Sequence, residues 1–378
     1  MCSLALVAIC ASTVLASAQA TSSPTETGST TASSSPSAYV YVASYVKSKN
    51  ANQINAYSAA ANGALAAIPG SPFPDNVGWL ALNGAWLFAV DSTGEKIDSF
   101  SIAANGALAL KDTYTNSTGQ SLYDMFLDHT GATLYSDHYT TNNDYISLSI
   151  NQSTGQLTYI GDLAGGPEND SEMRFIGNNV YAYSSSCYHF SPVIYGAERS
   201  SNGSLTNLNL NVPLPAEKSG GFYCPWLAAA DPTNHVAIAL QPLNSNWGPD
   251  GPWQLAVYTA ATDGTLTTKS TYSNMPSVLV GAVNDYTMSP DGKYLAVSGT
   301  SGLQIFHFNG ANPITKLTGL IATTQMQQVY WDNLDHLYAV SAQAGKLYVF
   351  SVTSNGATPA PGSPHSVPAP QSLIVLPK

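Results

Sequence analysis

The stretch WLFAVDSTGEKIDSFSIAANGAL, residues 86–108, holds one structural unit in miniature. Trp86–Val90 is a short apolar run of strand-forming residues, Lys96–Ile102 interleaves polar with apolar residues, and Asn105-Gly106 then turns the chain into Ala107-Leu108. Working outward from it, the apolar run recurs at Tyr39–Ala43, Thr133–Ser136, Val180–Tyr183, Val236–Leu240, Tyr294–Val297 and Leu337–Val340. With Trp86–Val90 that makes seven copies at a spacing of about 42–59 residues, the length of a four-stranded propeller blade. A third strand follows each copy, as at Gln53–Ser58, Lys96–Ile102, Tyr145–Ile150, Pro192–Ala197, Gln254–Thr259, Gly302–Phe308 and Lys346–Val352. Turns at Asn62-Gly63, Asn105-Gly106, Asn202-Gly203, Asp263-Gly264 and Asn355-Gly356 come next, read as tight hairpins with two positive φ angles.

The expected fold is therefore all-β, a seven-bladed β-propeller of four-stranded antiparallel blades. Its first element, Tyr39-Val40-Tyr41-Val42, reads as a second strand and its last, Ser372–Leu376, as a first strand. One blade built from both ends closes the ring and leaves no unpaired radial edge. Only 9% of the 378 residues are charged, which fits strands and turns better than surface helices.

Before that ring, residues 1–20 read as a signal peptide, with Ala18-Gln19-Ala20 as the small-x-small cleavage pattern. No basic residue precedes the apolar run, which leaves the true start codon open. Residues 21–37, rich in Ser, Thr and Pro, read as a disordered linker, and 38–378 as the propeller. The expected location is secreted or periplasmic, with lipoprotein anchoring at Cys10 as the alternative, and no transmembrane span is expected. Beyond the signal peptide the chain has two cysteines, Cys187 and Cys224, which fall in loops on one face of neighbouring blades and are expected to form a disulfide.

A net charge of −11 and only two arginines, Arg174 and Arg199, exclude nucleic acid and argue against multiply phosphorylated ligands. A small-molecule substrate or ligand fits better, and a monomer is expected. The histidines lack the spacing of a zinc site, with His235 and His336 placed as turn residues, so no metal and no cofactor is expected. A Ca²⁺ ion held by Asp124, Glu172 and Asp285 is the hard-oxygen alternative.

The phrases NGALAAIPGSPFP (62–74), SPDGKYLAVS (289–298) and ATPAPGSPHSVP (357–368) resemble the lactonase-like seven-bladed propellers, the 6-phosphogluconolactonase and carboxymuconate-cyclising type. The resemblance runs from Ala38 to Lys378 and implies hydrolysis of a lactone or related cyclic ester. Catalytic members, as it implies, carry a Pro-Arg-His-like element where a loop enters the innermost strand. The matching stretches here are Ser121-Leu122-Tyr123-Asp124, Ser171-Glu172-Met173-Arg174, Tyr223-Cys224-Pro225-Trp226, Val283-Asn284-Asp285-Tyr286 and Gln325-Met326-Gln327-Gln328. None has that element, so no catalytic residue carries over, and a phosphorylated sugar lactone is disfavoured.

Lactone hydrolysis needs a base for water, donors for the oxyanion and a cation for a substrate carboxylate. The residues on the expected loop face that supply these types are His138 and Glu172 as bases and Arg174 as clamp. Asp124, Tyr223, Trp226, Trp247, Trp253 and Asp285 are the ligand-binding candidates. Against each stands a structural reading, because carboxylates and arginines of inner strands pair with one another and aromatics fill blade cores. The long loop Gln241–Trp253 supports a rival function, a non-catalytic propeller that binds a protein, glycan or small ligand through exposed aromatics.

Overall fold

Seven antiparallel sheets, each with a path of four neighbouring strands across it, make up the computed structural model, which describes residues 35–138, 144–163, 172–187 and 191–378. Ser35–Lys378 is one compact unit, and residues 1–37 as signal and linker fall almost wholly outside the described residues. Blade 1 orders Pro370–Pro377, Ala38–Val46, Ala51–Ala59 and Leu65–Ala67 from the inside out. Blade 2 is Val77–Leu82, Trp86–Asp91, Lys96–Ile102 and Leu108–Thr115, and blade 3 is Leu122–Leu127, Thr133–His138, Asp144–Ile150 and Leu157–Leu163. Blades 4 to 7 begin with the inner strands Arg174–Phe175, Phe222–Ala230, Val283–Met288 and Gln328–Trp331. All seven apolar runs picked from the sequence are second strands or reach into one. The ring closes as expected, Tyr39 pairing with Leu376 and Val42 with Leu373.

Second strands are the most deeply buried elements: Ala38–Ala43, Leu87, Phe88, Ile238, Leu337 and Tyr338 have almost no exposed surface. Each fully buried aliphatic or aromatic side chain contributes about 1.5–3 kcal/mol, so the cores between blades, rather than any one sheet, hold the ring. Adjacent blades are also tied by hydroxyls. Tyr41 donates to Gly106 O at 2.8 Å, Tyr135 to Gly203 O at 2.7 Å and Tyr183 to Gly264 O at 2.8 Å, each reaching the outer turn of the next blade.

Those outer turns correct one expectation. Only their glycines have positive φ; Asn62, Asn105, Asn202 and Asp263 do not. The Gly63 N–H bonds Ala60 O and the Ala60 N–H bonds Ala64 O, a three-residue loop with its left-handed residue at glycine. Asn or Asp is favoured because its side chain accepts the N–H two residues on, Asn62 Oδ1 from Ala64 and Asp263 Oδ1 from Thr265. Glycine is needed a second time for close approach. A Cβ on Gly106 would meet the Tyr39 ring at 2.7 Å, and one on Gly155 the Trp86 ring at 2.4 Å.

His235 and His336 are also not turn residues. Each opens a second strand and donates through Nδ1 to the carboxylate four residues earlier, Asp231 at 2.9 Å and Asp332 at 2.8 Å. Asp332 also accepts the Tyr338 hydroxyl. Burial works to raise its pKa, but the His336 ring and the His336 and Leu334 N–H groups hold the carboxyl below the usual range.

Candidate functional site

Inner strands carry the candidate chemistry, and their register shows which residues share a layer. Phe126, Arg174, Thr287 and Tyr330 each pair with the third residue of their blade's second strand, Tyr135, Tyr183, Ala296 and Tyr338. Two residues before each, and so one layer nearer the strand entrance on the same face, stand Asp124, Glu172, Asp285 and Gln328. The sequence comparison had set Asp124 level with Arg174; strand pairing moves it level with Glu172. Three carboxylates and a carboxamide thus form one layer of the central channel, with a single arginine beneath.

Two cavities meet at that layer. The upper one, about 210 Å³, is lined by Trp79, Asp124, Trp226, Asn284, Gln327 and Gln371 among others. The lower one, about 270 Å³, continues past Leu82, Leu127, His129, Met288 and Tyr330. Glu172, Arg174, Asp285 and Gln328 line both and form a waist between them.

At the waist the Arg174 guanidinium pairs with the Glu172 carboxylate. Asp285 accepts the Val329 N–H at 2.9 Å through Oδ2. Burial raises its pKa, and Arg174 and the Val329 and Tyr286 N–H groups oppose that rise. Burial also raises Tyr330, again opposed by Arg174, so the guanidinium field spans both blade 6 and blade 7. The Tyr286 hydroxyl is engaged inside blade 5, taking the Ala239 N–H at 3.2 Å and donating to Ala237 O at 3.1 Å. The other arginine, Arg199, lies away from the channel in a buried pair with Asp128 at 2.5 Å.

The structure therefore brings Glu172, Arg174, Asp285, Asp124 and Trp226 to one channel mouth. Tyr223 is elsewhere: it is 1% exposed and its hydroxyl donates to Gln254 Oε1 at 2.5 Å. Trp247 packs edge-on against Phe222 with ring centroids 4.1 Å apart, and Trp253 packs on the core formed with Val278 and Leu255. Much of the Gln241–Trp253 insertion is thus accounted for by packing. His138 ends the strand Thr133–His138, its side chain outside the described residues, as are residues 188–190 with His189. Cys187 and Cys224 form the expected disulfide, Cα atoms 5.3 Å apart, joining blades 4 and 5 beside the mouth. Among the described residues no set of three His, Cys, Asp or Glu side chains is placed to hold a metal ion, and no helix is long and apolar enough to cross a membrane.

The sequence reading missed Gln328, Gln327 and Asn284. Gln327 and Gln328 were legible as part of an inner-strand entrance, but an amide carries no charge to attract notice.

The family model for lactonase, seven-bladed β-propeller, matches residues 39–171. A candidate 6-phosphogluconolactonase from Bacteroides fragilis superposes with a TM-score of 0.66 at 16% identity, over 89% of this chain and 97% of that one. The periplasmic gluconolactonase of Pseudomonas aeruginosa does so with 0.66 at 14% identity, over 89% and 98%. A Lactobacillus plantarum protein gives 0.65 at 16%, over 90% and 99%. No protein of curated function matches the sequence. At such identities the likeness to solved structures is one of fold. The fold is a seven-bladed β-propeller, and within it residues 39–171 carry the sequence pattern of the lactonase family.

Proposed function

We propose that the protein is an exported hydrolase of small, unphosphorylated lactones, working at the channel waist. The observation that carries this is the meeting of Asp285, the Glu172–Arg174 pair and Gln328 between two cavities. An upper cavity of about 210 Å³ is smaller than the roughly 300–1,000 Å³ of sites for drug-sized ligands, and so suits a single ring. Asp285 is the base: a carboxylate whose pKa is raised by burial takes a proton from water more readily than an ordinary one. Arg174 orients the substrate carbonyl and is itself held by Glu172. With three carboxylates and one cation in the mouth, a phosphorylated or carboxylated lactone meets excess negative charge. Export is supported by the Ala18-Gln19-Ala20 pattern, by the Cys187–Cys224 disulfide and by the periplasmic relative in fold.

The test is hydrolysis of unphosphorylated aldonolactones and aliphatic lactones by the purified mature chain, followed by proton release. Arg174→Ala is expected to lower kcat/KM by about a hundredfold or more. No turnover on any lactone by folded protein would sink the reading. The rival binding propeller would then lead, although its main support, the Gln241–Trp253 aromatics, is largely packed into blade 5 and its neighbour.

A further inference from the structure

Around part of the channel, consecutive inner strands are strapped by the same device. Asp285 Oδ2 accepts the Val329 N–H at 2.9 Å, Gln328 Oε1 accepts the Leu373 N–H at 2.5 Å and Ser372 Oγ accepts the Leu80 N–H at 3.2 Å. Each strap satisfies a main-chain donor of the next blade that would otherwise lie unpaired beside the channel. That alone is architecture. The consequence for chemistry is what each strap leaves over.

A strap uses one end of a forked side chain and fixes the other. Because a main-chain N–H can bond only to the oxygen of a carboxamide, Leu373 settles which way Gln328 is turned, and its NH₂ is the group left over. At Asp285 carboxylate Oδ1 is the oxygen that the Val329 strap does not use. The two residues occupy the same layer of adjacent blades and both line the waist. An acceptor and a donor are therefore held side by side, each locked by a bond on its far side.

We propose that the Gln328 amide is the uncharged donor that receives the developing oxyanion, an inference that rests on the lactonase reading. Water adds to the lactone carbonyl carbon and gives a proton to the Asp285 carboxylate. Negative charge then collects on the former carbonyl oxygen, where Gln328 Nε2–H and Arg174 donate. The ring C–O bond breaks as the carbonyl re-forms, and the leaving alkoxide takes the proton from Asp285, giving the open hydroxy acid. Arg174 is shared with Glu172, whereas the amide has no acidic partner among the described residues, so Gln328 is the donor whose strength is not divided with one of them.

Gln328→Glu separates the strap from the donor, because a carboxylate oxygen still accepts the Leu373 N–H while no amide remains. Its kcat is expected to fall about 10²–10³-fold with KM within a few-fold of wild type and an unchanged melting temperature. Gln328→Met, similar in length and uncharged, controls for the added charge and is expected to lose kcat to a similar degree in folded protein. If wild type turns over and either folded variant keeps kcat within threefold, Gln328 is not the donor and the lactonase reading stands. If wild type turns over no lactone, the reading itself falls and takes this assignment with it.

Discussion

Replacing Asp75 with Asn should make the protein more stable at pH 8 while leaving it nearly unchanged at pH 4. Asp75 lies where the chain leaves the short outer strand Phe73–Pro74 of blade 1 for the inner strand of blade 2. Its pKa is raised from 3.8 to about 7, chiefly by burial, then by the Asp98 charge and a hydrogen bond with that side chain, with Asp91 adding further repulsion; only the Asn76 N–H opposes these. A raised acid pKa means that the folded state holds a proton that the unfolded state has released between about pH 4 and pH 7. Stability therefore falls as pH rises through that window and levels off above it. A three-unit difference corresponds to about 4 kcal/mol by linkage, but Asp75 is only partly buried, and solvent screening brings the expected effect to about 1–2 kcal/mol. Asn keeps the shape and hydrogen bonding without the charge. Thermal unfolding at pH 4, 5, 6, 7 and 8 should show the wild-type melting temperature dropping a few degrees relative to the variant across the window. Parallel curves would refute the assignment of this repulsion to Asp75.

Two further outcomes follow from the site and the blade contacts. The kcat of lactone hydrolysis should fall on the acid side with an apparent pKa above the ordinary aspartate value of about 3.9, since Asp285 must be ionised to act as base and its pKa is raised; a pH-rate profile limited only below pH 4 would remove Asp285 from that role. Gly155→Ala should destabilise the ring by about 2–4 kcal/mol in chemical unfolding, because its Cβ would enter the Trp86 ring at a φ of +76°; a loss below about 0.5 kcal/mol would show that blades 2 and 3 separate there without cost.

The blade repeat was legible because its cause is local. Alternation, a glycine turn and a buried apolar run each leave a mark within about ten residues, and Trp86–Val90 or Leu337–Val340 needs no neighbour to be read as a strand. The site was legible only as a set of residue types. Asp124, Glu172 and Asp285 look alike in sequence, but that they share one layer, a step above Arg174, depends on pairing across the blade, and one residue of slip reverses the face. The Asn-Gly turns were placed correctly and misread in geometry, since an Asx bond and a positive φ favour the same dipeptide. Trp247 and Trp253 were read as exposed because an insertion's packing partners, Phe222 and Val278, lie outside it. Gln328 was passed over because its role depends on the Leu373 N–H, which the chain supplies 45 residues later.

The strand pairing that completes blade 1 also sets an order of events in time. Ala38–Val46 is among the first parts of the ring to be made and Pro370–Pro377 the last, yet they lie hydrogen-bonded to each other. Until that final strand exists the ring stays open, and its first strand lacks its inner partner through the whole of synthesis. If the chain is exported as proposed, the late clasp would keep the polypeptide unlocked for passage, and closure would come as one step on the far side.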